Sequence, residues 1–306
     1  MSIFMPVYNG QDFLDETIKN VLSQTYKNFE LVCVDDSSTD SSTDIIKKYS
    51  AKDKRIILYE KENGGNVPKS FNYVLPKLKG DFYLYMSQDD KLSEDLLEEE
   101  IKCYKETGCD IAVPTCKFVG DSMEDVTISL SKGSIISGKE AFVLSLTWKI
   151  HGFNLVKMSL IKDEICDEEV FNSDEFLTRR FFFKANLVAS SGGVFFYYRN
   201  NPKSITKNPK AYRVQSLLNN EAIRVFIEQH KDELPRYVGK LWKKVIINKI
   251  YWTKKYIKTN SIKWSEDDQK YVNTVYYNCL KSIALKDLFT LASSPRVFLK
   301  GLVVKF

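Results

Sequence analysis

Hydrophobic and polar positions in the first hundred residues switch repeatedly between a strand period and a helix period. Ser2 to Val7 is a short apolar run that ends in Pro6-Val7-Tyr8-Asn9-Gly10. A helical pattern follows, with Phe13, Thr17 and Val21 on one stripe and Leu14, Ile18 and Leu22 beside it. Phe29 to Val34 reads as a strand covered on both faces. Asp35-Asp36-Ser37-Ser38-Thr39-Asp40 then supplies N-cap chemistry for a helix through Ile45, Ile46 and Tyr49. Ile56 to Tyr59 predicts a third strand, and Asn63-Gly64-Gly65-Asn66 a turn into a helix containing Phe71, Val74 and Leu75. A fourth apolar run, Phe82 to Met86, closes on Ser87-Gln88-Asp89-Asp90, ahead of a helix starting near Ser93.

Short strands joined by helices of this length predict an α/β fold with a mostly parallel, doubly wound sheet. Right-handed crossovers set all the strand C-termini on one edge. Asn9, Asp35-Asp36, the Asn63 turn and Asp89-Asp90 are then expected in one crevice, where open α/β sheets bind ligands. Beyond Cys109 the pattern changes. Ile111 to Val119 reads as a strand, and Asp121 to Ile136 as shorter strands or loop. Gly138 to Trp148 and Asn172 to Ala185 look helical, and Leu187 to Tyr198 is a strand broken by Gly192-Gly193. After Pro209 almost everything fits helix.

The 306 residues are 43% hydrophobic and 13% aromatic, which suits a packed globular protein. No stretch approaches the length of a membrane span, and the first residues enter a strand pattern rather than a signal peptide. Cys33, Cys103, Cys109, Cys116, Cys166 and Cys279 show no metal-binding spacing, so free thiols and a cytoplasmic location are expected. Charge is uneven. From Lys207 onward there are 20 Lys/Arg against 8 Asp/Glu, whereas the preceding part is acidic. Different partners are implied for the two parts.

Two adjacent carboxylates at a buried strand end are costly without a cation. A hard divalent ion holding a diphosphate accounts for Asp89-Asp90, against the plainer reading of a solvated turn. Asp36, another strand-end carboxylate, can accept from a nucleobase N–H, or can cap the next helix with Asp35. Tyr8 can stack on the base, or belong to the core.

The chain resembles the family-2 glycosyltransferases, inverting enzymes of the GT-A fold that use nucleotide sugars. Pro6-Val7-Tyr8-Asn9-Gly10, Leu22 through Leu31 (LSQTYKNFEL) and Val34 through Asp40 (VDDSSTD) carry the resemblance. Asn63-Gly64-Gly65 and Gly80-Asp81 extend it to the Asp-Asp pair, over roughly the first 115 residues. A weaker likeness to bacterial polysaccharide members continues through Asn172-Ser173-Asp174-Glu175 and Tyr197-Tyr198-Arg199…Ser204-Ile205-Thr206. The resemblance implies donor binding by Pro6, Tyr8, Asn9, Asp36, Asn63, Lys69 and Asp89, with Mg²⁺ or Mn²⁺ on Asp89 and Asp90.

The chain departs from the family pattern twice. Members commonly read Asp-x-Asp-Asp at the metal site, and Ser87 stands in place of the first acid. Many also place an Arg in the helix after the Asn-Gly-Gly turn, where this chain offers Lys69, either a point charge for the diphosphate or a solvent-facing helical lysine. Inverting transfer needs a carboxylate to take the acceptor's proton. Asp174 is the candidate base, followed six residues on by Arg180 in a spacing that resembles the family's base motif. Glu175 is the alternate, and a helix-dipole acid is the bland reading of either. Trp148, His151, Glu175, Arg180 and Arg199 are candidate substrate contacts, with a structural role the alternative for the lone His151 and a surface turn for Arg199.

In the tail, Lys243 with Lys254 and Lys244 with Lys255 recur at eleven residues, about three helical turns. A cationic amphipathic helix over 240–258 with Trp and Tyr suits an anionic membrane surface, against the alternative of a packed helix with a solvated lysine face. No nucleic-acid motif is present.

The expectation is a GT-A nucleotide-sugar-binding and catalytic domain over 1–206 and a basic α-helical region over 207–306. The activity expected is metal-assisted inverting transfer from a UDP-sugar to a hydroxyl of a growing or lipid-linked glycan, at the inner face of the plasma membrane. A nucleotidyltransferase is the first alternative, but Tyr8-Asn9-Gly10 offers no cation for a triphosphate. The second is a non-catalytic glycan- or membrane-binding protein retaining the fold.

Overall fold

The computed structural model describes residues 1–120, 126–198, 211–281 and 294–305. The chain divides into two compact units, Met1–Cys166 with Leu177–Pro202 and Asp167–Phe176 with Lys203–Phe306.

The first unit is built on a sheet of ten strands among the described residues: β1 (Ser2–Val7), β2 (Glu30–Asp35), β3 (Ile56–Glu60), β4 (Phe82–Tyr85), β5 (Lys91–Leu92), β6 (Ile111–Val119), β7 (Val126–Ile128), β8 (Ile135–Ser137), β9 (Leu155–Lys157) and β10 (Leu187–Tyr198). The order is β3-β2-β1-β4-β9-β6-β10-β5, with β7 on β6 and β8 on β10. Most paired residues lie in the parallel ladders β2–β3, β1–β2, β1–β4 and β6–β10. The first strands are buried on both faces, as their unbroken apolar runs require. Helices α1 (Gln11–Ser23), α2 (Ser42–Ser50), α3 (Val67–Val74) and α4 (Leu96–Thr107) connect them. α1 buries Leu14, Thr17, Ile18 and Val21, the two neighbouring stripes of its periodicity.

Three differences from the sequence expectation have physical reasons. β9 is a three-residue antiparallel wedge between β4 and β6, too short to carry a period. Lys91–Leu92, expected to lead directly into a helix, instead forms β5 against β10, so α4 begins at Leu96. At Gly192-Gly193, β10 continues with a register shift between Ser190 and Val194. Such a bulge re-aims a strand, and here the re-aimed half reaches β5 and the loop holding Asp89-Asp90.

Sheet topology positions the crevice. β1–β2 pairing runs to Val7↔Asp35, but β1–β4 pairing stops at Phe4↔Tyr85. The chain winds outward from β1 in both directions, so strands β1 and β4 part at their C-terminal ends at the topological switch point. Pro6, which has no N–H to donate, sits beyond the last β1–β4 pair.

Further along lie α5 (Gly138–Ser145), α6 (Met158–Ile161) and α7 (Ser173–Lys184). The described α-helices of the second unit are α8 (Ser216–Gln229), α9 (Val238–Asn260), α10 (Glu266–Lys281) and α11 (Pro295–Lys305), with the first turn of α7. α9 buries Val238, Trp242, Ile246, Ile247 and Ile250 and packs on α8, α10 and α11. None of the helices of the described residues is long and apolar enough to cross a membrane. All six cysteines are buried thiols.

Candidate active site

Three loops at the C-terminal sheet edge are laced together by side chains. After β1, Asn9 takes a left-handed conformation at φ 49°, which Asn tolerates better than most residues. Its N–H donates to Ser38 Oγ at 2.9 Å, and its Oδ1 accepts from the Thr39 N–H at 2.8 Å. Gly10 N–H donates to Ser42 Oγ at 2.8 Å. These bonds tie the β1 loop to the β2 loop. Gln88, in the loop after β4, ties the β1 loop from the other side. Its Oε1 accepts from the Tyr8 N–H at 2.9 Å, and its Nε2 donates to the Tyr8 carbonyl at 3.1 Å. Gly10 is glycine for this reason: a Cβ there would stand 2.3 Å from Gln88 Oε1. The Tyr8 ring stays about half exposed, at 49%.

Asp35 and Asp36 separate into two roles. Asp35 accepts from the Ser38 hydroxyl at 2.5 Å and the Thr43 hydroxyl at 2.8 Å, holding the start of α2. Asp36 turns to the next loop. Its Oδ1 accepts from Gly64 N–H at 2.7 Å, its Oδ2 from Gly65 N–H at 3.0 Å, and Lys61 pairs with Oδ1. A carboxylate has about four acceptor directions, so these three donors leave one for a ligand N–H.

Lys61 escaped the sequence reading because it looks like a solvated strand-end lysine. The β2–β3 register supplies the missing signal: Asp35↔Glu60 sets residue 61 opposite residue 36. Asn63 is exposed, while Asn66 caps α3 by accepting from the Lys69 N–H at 3.0 Å. A Cβ on Gly64 would lie 2.8 Å from Lys61 Nζ and 3.0 Å from Lys69 Cδ, so both lysines flank the turn.

The acidic pair is also divided. Asp90 is fully buried, its Oδ2 accepting from Ser87 N–H at 2.9 Å and its Oδ1 from Tyr198 N–H at 3.2 Å. Burial, and then the neighbouring charge of Asp89, push its pKa up to about 7. Asp90 therefore ties the β4 loop to the end of β10, which the sequence reading did not foresee. Asp89 is half-buried. Among the described residues, no group of three or more His, Cys, Asp or Glu could cage a metal. One carboxylate at the crevice fits a hard divalent ion held jointly by protein, water and substrate phosphates, the usual Mg²⁺ arrangement.

The remaining candidates fall in different places. Trp148 is 43% exposed at φ 57°, with the Arg179 guanidinium 5.8 Å from its ring. His151 could contact substrate or serve the fold, and the structure gives it the second role. It is 1% exposed, with Nε2 2.7 Å from the Pro114 carbonyl and Nδ1 accepting from Phe153 N–H at 3.2 Å. Both ring nitrogens serve the fold, and burial lowers its pKa to about 4. Arg180 pairs with the buried Glu164 at 2.8 Å and donates to the Ile165 carbonyl, so it ties α7 to the segment after α6 instead of facing a ligand. Asp174 and Glu175 occupy the first turn of α7, in the second unit. Asn172, at φ 56°, sets that turn with its carbonyl accepting from Asn219 Nδ2, and Glu175 approaches Lys249 at 4.0 Å. Arg199 and the Ser204-Ile205-Thr206 segment lie outside the described residues.

Comparison with known proteins agrees with this geometry. The profile of Glycosyl transferase family 2 matches residues 2–168. Glycosyltransferase GlyG of Streptococcus pneumoniae serotype 4 is 26% identical over 220 residues, 68% of this chain and 73% of that protein. Poly(ribitol-phosphate) beta-N-acetylglucosaminyltransferase TarS of Staphylococcus aureus is 25% identical over 248 residues, covering 76% of this chain but only 42% of TarS. The crystal structure of TarS 1–349 in complex with UDP-GlcNAc superimposes with a TM-score of 0.70 at 17% identity, covering 99% of this chain and 90% of that one. The mannosyltransferase PcManGT of Pyrobaculum calidifontis, in complex with GDP-Man and Mn²⁺, gives 0.52 at 14% identity, over 99% of this chain and 86% of that one. A GT-A sheet whose first-unit loops converge on Tyr8, Asp36 and Asp89, under a family match spanning more than half the sequence, makes this chain a member of glycosyltransferase family 2.

Proposed function

We propose that the protein transfers a sugar, with inversion, from a UDP-sugar to a hydroxyl of a growing bacterial surface glycan. The observation that carries this reading is the lacing of the β1, β2 and β4 loops through Asn9 and Gln88. It holds a base-binding carboxylate and a phosphate-side carboxylate on one sheet edge. TarS, crystallised with UDP-GlcNAc, supports a uridine donor, and its identity as a poly(ribitol-phosphate) beta-N-acetylglucosaminyltransferase supports an acceptor of the polyol-phosphate or glycan class.

Tyr8 flanks the base, and Asp36 accepts the imide N–H with its remaining lone pair. Pro6 and Asn9 shape the loop under the nucleoside, and the Asn63 turn with Lys69 faces the phosphates. Asp89 would hold Mg²⁺ or Mn²⁺, whose chemistry is to neutralise the charge growing on the departing diphosphate; PcManGT carries Mn²⁺ on the same fold. Asp174, as base, takes the acceptor hydroxyl's proton. The new C–O bond forms on the face opposite the leaving group as the bond to the diphosphate breaks, and the proton remains on the Asp174 carboxylate.

Thermal-shift measurement with UDP, GDP and the corresponding sugar donors, with and without Mn²⁺, tests the donor site. Stabilisation by uridine nucleotides is the expected result. No shift with any nucleotide would reject the reading. Asp174→Asn is expected to keep the donor-induced shift and lose transfer.

A further inference from the structure

The helices α9 and α11 carry chemistry that donor binding does not use. α9 contains seven lysines and no acidic residue, and α11 is likewise free of Asp and Glu. The face α9 buries, through Trp242, Ile246, Ile247 and Ile250, is its packing face. Its other side presents Trp252, 57% exposed, beside exposed Lys255, while Lys254 and Lys258 are exposed further round the C-terminal turns of the helix, where the buried stripe has ended.

α11 extends this surface. Lys300 Nζ lies 5.6 Å from the Trp252 ring and 5.2 Å from Tyr251, and it donates to Asn248 Oδ1 at 2.8 Å. Lys255 Nζ stands 4.9 Å from the same indole. Lys254 reaches across to the Val303 carbonyl at 2.8 Å. Leu299 and Val303, one turn apart on α11, are 59% and 56% exposed. The packed pair α9–α11 thus exposes an indole, two aliphatic side chains and lysines that bridge the two helices.

We propose that this α9–α11 face docks on an anionic membrane surface. Cations alone would serve any polyanion. Leu299, Val303 and Trp252 have no partner in a soluble polyanion, whereas a bilayer offers them its headgroup–acyl boundary and offers the lysines its acidic headgroups. Indoles favour that boundary because one end of the ring is apolar and the other donates a hydrogen bond. The inference is independent of the sugar-transfer reading, since it uses no residue of the crevice.

Vesicle flotation of the full chain tests it, using phosphatidylcholine alone and phosphatidylcholine with phosphatidylglycerol. Binding to the anionic vesicles only is expected, weakening as salt rises. Lys254→Gln/Lys255→Gln should reduce partitioning on the order of tenfold, and Trp252→Ser by several-fold, since each cation near the surface and the buried indole add separately. The patch substitutions all fall on exposed side chains, and Lys52→Gln/Lys54→Gln, exposed in the first unit, should bind like the parent. Failure to float with anionic vesicles would overturn the proposal, as would flotation unchanged in the patch variants. Binding to soluble polyphosphate that equals vesicle binding and ignores Trp252→Ser would overturn it in favour of a polyanion.

Discussion

His151→Gln separates the fold's use of this histidine from any substrate role. The imidazole is 1% exposed, bonded through both nitrogens, and has its pKa lowered by burial from 6.5 to about 4. Above the ordinary value the ring is neutral folded and unfolded alike, so nothing is lost there. As pH falls from 6.5 towards 4, the unfolded chain takes up a proton that the folded chain refuses, and stability drops. Linkage makes the loss about 2–3 kcal/mol at about pH 4.5. Glutamine keeps a donor and an acceptor but does not titrate. Urea unfolding at neutral pH and at about pH 4.5 should show the parent losing about 2–3 kcal/mol more than His151→Gln. Imidazole NMR in a His230→Gln background reads the remaining ring directly. A midpoint near the ordinary histidine value, or equal pH slopes for parent and variant, would refute the reasoning.

The other predictions concern the crevice. Gln88→Ala removes both bonds to the Tyr8 backbone and should cost about 1–3 kcal/mol of stability, read by urea unfolding, and raise the donor KM more than it changes kcat. Asp90→Asn turns an NH₂ group toward either the Ser87 or the Tyr198 N–H, so a loss of about 1–3 kcal/mol is expected. Stability equal to the parent's would show that these bonds do not hold the loop. Asp36→Asn gives up the Lys61 pair as well as the base contact, and donor affinity should fall at least tenfold, consistent with about 1.5–3 kcal/mol for a hydrogen bond to a charged group.

Wherever long apolar runs met capping residues, the fold was legible in the sequence. β1 and α1 with their burial stripes are examples, because period and punctuation agree there. β9 and β5 were not legible, since segments of two or three residues owe their pairing to neighbours distant in sequence. The site followed the same division. Asp36 and Asp89 could be placed on one edge from strand order alone. Lys61 and Gln88 could not, because register and loop closure set their partners across 25 and 80 residues. His151 stayed open between fold and substrate because a lone imidazole beside a glycine gives no sign of which way it faces.

Calorimetric titration of UDP into the parent, Asp89→Asn and Asp36→Asn, each with and without Mn²⁺, bears most directly on the shared crevice. The parent should bind UDP more tightly with Mn²⁺. Asp89→Asn should bind weakly and equally in both conditions, and Asp36→Asn should be weaker in both while keeping the Mn²⁺ enhancement. Undiminished Mn²⁺ enhancement in Asp89→Asn, or unchanged UDP affinity in Asp36→Asn, would contradict the assignment of the donor to this site.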